Sequence, residues 1–254
     1  MYQRFLYSAQ AVGAGGRITL PYNETIEIQA SVALPIIGGQ GSARVDNFRY
    51  RNIFSFRSAE SHVVGSYSAN DKAYGTLAMC AVEGVNVLDV VTCDRLVARI
   101  TTKHPDDGSE PTIIPLGSRF ENLRIAGHPI EVNLELGLFC QLGTFGKLTE
   151  GYARDEGVKA QIRRLSLFER PDGGLPESRG IIGCSLAPAP EKLPPGLTPK
   201  GLAIYVPHFG TVYLAEFFIT PTSRRLMMLR VELGCSVEGG VGAGCAGGNG
   251  SGWP

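Results

Sequence analysis

In TIEIQASVALP the side chains alternate: Ile26, Ile28, Ala30 and Val32 fall on one face, Thr25, Glu27, Gln29 and Ser31 on the other. Successive residues of a strand point to opposite sides of a sheet, so this pattern predicts a half-buried strand. HPIEVNLEL behaves the same way, with Ile130, Val132, Leu134 and Leu136 inward and Glu131, Asn133 and Glu135 outward. Near the end, TVYLAEFFIT (211–220) and LMMLRVEL (226–233) flank PTSRR, and two apolar runs around a short polar loop predict a β-hairpin. Sustained helical periodicity is missing; TEGYARDEGVKAQIRRL (149–165) is the best helix candidate.

Three hexapeptides share one form: apolar, acidic, Asn or Gly, apolar, any, apolar. They are VDNFRY, VEGVNV and FENLRI, starting at 45, 82 and 120 and so spaced by 37 and 38. On a plain strand the first apolar residue would face away from the other two. One inserted residue would restore the phase, and a bulge or tight turn with positive φ at Asn47, Gly84 and Asn122 would select the Asn or Gly found there. The regular spacing suggests internal repeats of about 37 residues. The repeat reads as architecture, because lone carboxylates at Asp46, Glu83 and Glu121 do not make a calcium site.

Two stretches break the strand pattern. Residues 171–199 hold seven of the sixteen prolines, and each proline fixes φ and removes a ladder donor, so the segment reads as a surface excursion. Residues 234–254 hold nine glycines and the single tryptophan, Trp253. Left free, such a tail is disordered. If ordered, it needs a neighbouring subunit, the chain's own sheet edge, docking of Trp253, or a disulfide between Cys235 and Cys245 to hold it. The expected organisation is one all-β domain over 1–233, a β-sandwich or β-solenoid-like core, with the tail 234–254 serving association.

AYGTLAMCAVEGVNVLDVVTCDRLVARI, with GTVYLAEFF downstream, resembles uncharacterised bacterial all-β surface proteins of the choice-of-anchor type. The resemblance implies an all-β fold and a place at the cell surface, and it brings no functional residues.

Composition narrows the function classes. Lys plus Arg and Asp plus Glu are equal at 24 each, so no global charge draws the chain to nucleic acid. The basic clusters Arg163–Arg164 and Arg224–Arg225 lack interleaved aromatics. No run approaches the roughly 20 apolar residues of a membrane span, and the opening MYQRFLYSAQAVGAGG makes a poor signal peptide, leaving cytoplasm and cell surface both open. Cys80, Cys93, Cys140 and Cys184 stand mostly in apolar runs without Cys-x-x-Cys spacing, as buried thiols do.

Candidate chemistry is sparse. His208 precedes a predicted strand that carries Glu216, and an imidazole–carboxylate pair can do acid–base work. Asp106, Asp107 and Glu110 cluster around Gly108, as calcium ligands or as turn residues. No other cofactor is indicated. The leading expectation is a non-catalytic structural or self-assembling protein, a homo-oligomer. The alternatives are an enzyme or small-ligand binder with a pocket near His208 and Glu216, or a carbohydrate-binding module.

Overall fold

The computed structural model describes residues 4–168, 170, 173–190, 192–234 and 236–253. The chain opens with β1 (Arg4–Leu20), β2 (Glu24–Gln29) and β3 (Val32–Ala33). Four long strands follow: β4 (Gly39–Tyr50), β5 (Phe54–Ser68), β6 (Ala73–Val87) and β7 (Val91–Pro105). Short pieces come next, β8 (Thr112–Ile114), β9 (Arg119–Glu121), β10 (Arg124–Ile125) and β11 (His128–Pro129), before α1 (Leu136–Gln141), α2 (Phe145–Arg154) and α3 (Glu156–Arg164). The remainder is β12 (Glu177–Ser178), β13 (Ile181–Ser185), β14 (Thr198–Lys200), β15 (Ala203–Val206), β16 (Gly210–Ile219), β17 (Ser223–Gly234) and β18 (Glu238–Trp253).

Two antiparallel sheets form an all-β sandwich. One runs β12-β13-β16-β17-β18-β1-β2, with β15 also on β16, β14 on β15, and β3 on β1; the other runs β11-β10-β7-β6-β5-β4, with β8 and β9 on β7. β1, β17 and β18 lie over β5, β6 and β7. Between them Ile18, Ala59, Val63, Val82, Leu96, Ile100, Leu226, Val231 and Ala246 are buried. Antiparallel meanders of this kind are a sandwich and not the coils of a solenoid. Among the described residues no helix is long and apolar enough to cross a membrane.

Asn47, Gly84 and Asn122 all have positive φ, at 54°, 65° and 52°. Each resets the alternation as expected: Val82, Val85 and Val87 are all buried, although plain period two would turn Val82 outward. The registers add no extra residue at these points, so they are kinks and not inserted bulges. They fall on alternate strands of one row, Asn47–Arg57–Gly84–Asp94–Asn122, across the second sheet. The first sheet has a matching row, Ala215–Met228–Gly244–Gly13, in which Ala215 (50°) and Gly244 (67°) carry the positive φ.

The glycine-rich segment is no appendage. β18 lies between β1 and β17, with Arg4↔Trp253 and Ser223↔Asn249 among its paired positions, so two ladders offset the entropy of ordering it. Its small residues let the sheets approach. A Cβ at Gly244 would stand 2.3 Å from Leu96 Cδ1 of the facing sheet, and one at Gly248 2.7 Å from Thr102 Cγ2. The expected boundary at 233/234 therefore dissolves into the sheet.

Other expectations shift in detail. The helix expected over 149–165 is divided at Asp155, whose extended backbone ends α2 and whose carboxylate caps α3, accepting from Gly157 N at 2.8 Å and Val158 N at 3.1 Å. Residues 130–135 keep their alternation, with Ile130, Val132 and Leu134 against the core, but they pair with no strand. The proline-rich excursion encloses β13, whose Ile182 and Cys184 are fully buried and which pairs with β16; no proline falls within it. Ile28 is 65% exposed, because an extra residue of β2 between the pairs Gly16↔Ile26 and Ala14↔Gln29 turns it outward. The β16–β17 hairpin forms as expected.

Candidate functional site

His208 and Glu216 are not brought together. His208 is exposed in the turn before β16 at φ 60°, while Glu216 sits well along that strand, roughly 25 Å of extended chain away. A shallow pocket does adjoin His208, lined also by Tyr205 and Thr211, and its carboxylate is Glu232. The hairpin register supplies it, since Thr211 faces Glu232 across β16 and β17.

The acidic loop is likewise spread over separate tasks. Asp106 accepts from Tyr67 OH at 2.8 Å, and Asp107 accepts from Ser109 N at 2.8 Å in a local turn. Glu110 takes Gly146 N with both oxygens at 2.8 and 3.0 Å, at the start of α2. Among the described residues no three His, Cys, Asp or Glu side chains are grouped to hold a metal ion. Burial pushes the Cys80 and Cys184 thiols up to about 12 and Cys93 up to about 11, so they stay protonated at neutral pH. Cys245 is buried in β18; its expected partner Cys235 lies outside the described residues.

A trough of about 470 Å³ opens on the outer face of the first sheet, running along β18. Register places its parts. The outward positions Gly240, Gly242 and Cys245 form the floor. Glu232, Arg230, Met227 and Arg225 of β17 form one wall, and Val12 with the displaced Ile28 forms the other.

The glycines lining the trough divide into two kinds. At Gly244 and Gly239 positive φ and close neighbours demand glycine. At Gly15, Gly240 and Gly242 they do not. An added Cβ would meet its nearest atoms at 3.5 Å (Ile28), 3.6 Å (Val231 O) and 3.5 Å (Met227 Sδ), all ordinary contacts, on extended backbone. Glycine within a strand costs about 0.5–1 kcal/mol relative to alanine. Here its effect is to keep the trough open.

Charge on the β17 wall is uneven. Arg230 donates from Nε and Nη2 to the two oxygens of Glu216 at 2.7 Å each, and also bonds Glu232. Its guanidinium lies 3.7 Å from the centre of the Tyr213 ring, and Tyr213 OH donates to Glu232 at 3.0 Å. Glu216 is only 3% exposed, so this pairing keeps a buried charge satisfied, and the bond to Glu216 raises the Arg230 pKa further. Arg225 differs. Its hydrogen bond goes to the Cys245 thiol, Nε to Sγ 3.4 Å, and no carboxylate pairs with it among the described residues.

Residues 5–170 and 147–220 match the family model described as a domain of unknown function (DUF8256). The chain belongs to that family. No curated protein and no solved structure matches this DUF8256 chain. The matched residues end before β17 and β18, so the DUF8256 match covers β16 but not the floor and charged wall of the trough.

The trough was not legible in the sequence, for a physical reason. It is built from absent side chains, and a glycine run carries no periodicity from which a face can be assigned. The available signal was the phrase Gly-Gly-Val-Gly-Ala-Gly at 239–244, whose alternating small residues place one glycine column on one side of a strand.

Proposed function

We propose that the chain is a non-catalytic binding module that holds a small ligand in the trough along β18. The observation that carries this reading is the set of glycines at 15, 240 and 242, which the fold does not require and which keep about 470 Å³ open between an apolar and a charged wall. That volume lies in the usual range of ligand pockets. Catalysis has less support. Among the described residues the one histidine within ion-pair distance of a carboxylate is His62, 3.0 Å from Glu60 on the open face of β5. The carbohydrate alternative lacks its platform too, because among the described residues no aromatic ring lines the trough. Filling the trough tests the reading: Gly242→Leu should melt within a few degrees of the parent protein. Compounds from an amphiphile panel that raise the parent's melting temperature should lose that effect in the variant. A panel that shifts both proteins equally would refute it.

A second reading, self-association, is favoured by the edge of the second sheet. β4 leaves one side of twelve residues unpaired, and the loop before it exposes Ile36 (58%) and Ile37 (87%). A surface setting, which the bacterial resemblance implies, suits such an edge. Sedimentation velocity should then reveal a concentration-dependent dimer that Ile37→Lys weakens; a strict monomer at every concentration ends this reading.

A further inference from the structure

We propose that the trough binds a linear apolar monocarboxylate, its chain lying along β18 and its carboxylate on the Arg225 guanidinium. This rests on the binding-module reading above and adds the chemical class and orientation of the ligand.

Shape gives the first half of the argument. At its Cys245 end the floor is one strand wide, so Val12 of β1 and Met227 of β17 stand about 10 Å apart, while the floor from Gly240 to Cys245 runs about 17 Å along β18. A slot longer than wide suits one unbranched chain. Its sides are apolar at Val12, Ile28 and Met227, and Ile28 is 65% exposed where a covering chain would bury it. The backbone of β18 is paired on both sides, so an added peptide strand finds no free ladder there.

Charge gives the second half. At one end Arg230 serves two carboxylates, Glu216 and Glu232, so that end carries more negative than positive charge and repels an acid. Five residues along the same wall, Arg225 has a thiol for its partner and a planar guanidinium free to take a carboxylate in two parallel hydrogen bonds. The trough is therefore polarised along its length. It accepts one carboxylate, at the Arg225 end, and rejects a second at the other.

The test is titration calorimetry with dodecanoate and dodecanol below their aggregation limits, on the parent protein, Arg225→Gln, Arg225→Lys and Gly242→Leu, each first checked for an unchanged melting temperature. Dodecanoate should bind the parent more tightly than dodecanol. Arg225→Gln should weaken dodecanoate by about ten- to a hundredfold, the range of one charge-assisted pair, and leave dodecanol alone. Arg225→Lys, which keeps the charge but not the two-point fork, should retain part of the acid preference, and Gly242→Leu should lose both ligands. Equal binding of acid and alcohol, unmoved by Arg225→Gln but lost in Gly242→Leu, would overturn the carboxylate assignment while leaving the trough as a site. Absence of binding to the parent, or binding untouched by Gly242→Leu, would overturn both.

Discussion

At the scale of single residues, the polar groups inside this sandwich are either paired or kept neutral. Glu216 shows the first solution, held by two hydrogen bonds from Arg230. His104 shows the second. It is 6% exposed on β7 beside the Phe5 ring, at 5.0 Å between centres, and its Nε2 has no hydrogen-bond partner among the described residues. Burial pushes its pKa down to about 4, from an ordinary value near 6.5. The folded state thus holds the proton less well than the unfolded chain, so its contribution to stability is complete above about pH 6.5 and is lost as pH falls toward 4. The loss is at most about 3 kcal/mol. Urea midpoints at pH 7, 5.5 and 4.5 should fall more steeply for the parent than for His104→Phe; parallel declines would show that carboxylates alone set the acid limit. Little of this was legible beforehand. The sequence singled out His208, which is in a surface turn, because a histidine near a carboxylate in sequence looks like a pair. Along a strand such neighbours run apart, and the residue that meets the His208 pocket is Glu232, brought by the return strand.

At the scale of elements, long strands survive in this fold because they are kinked in register with one another. A 15-residue strand such as β6 twists and bends as it crosses the core, and the positive φ at Gly84 lets its buried positions change phase midway. The acidic-Asn/Gly phrase made this legible, and all three third positions have the expected backbone. The two rows also explain why period-two reading worked locally and failed over whole strands: LMMLRVEL is buried at Leu226, Met228, Leu229 and Val231, and that pattern skips at the row. Gly84→Val should destabilise by about 1–2 kcal/mol, since a β-branched residue at φ 65° is strained and its Cβ would stand 3.0 Å from Arg57 Cβ. Asn47→Gly, at the equivalent kink, should be neutral within about 0.5 kcal/mol. Equal losses at both sites in denaturant unfolding would mean that the kinks do not constrain the strands as argued.

At the scale of the whole molecule, an all-β sandwich was legible from alternation, turn residues and the shortage of helical periodicity. The order of its strands was not. Pairing across a sheet is decided by long-range packing, and a glycine segment with few large side chains gave no reason to place it centrally. That placement has a consequence for how the protein is made. β1 is synthesised early and β18 late, yet their pairs run from Leu20↔Glu238 to Arg4↔Trp253. Translation at about 5–20 residues per second leaves β1 without that partner for roughly ten to forty seconds. β17 waits for the same strand on its own open edge. Until β18 emerges the first sheet exists as two unjoined halves, one led by β1 with β2 and β3, the other by β16 and β17. The nascent chain therefore exposes the β1 edge through nearly the whole of its synthesis and the β17 edge only at its end, and the sheet is completed by insertion of a glycine-rich strand between them.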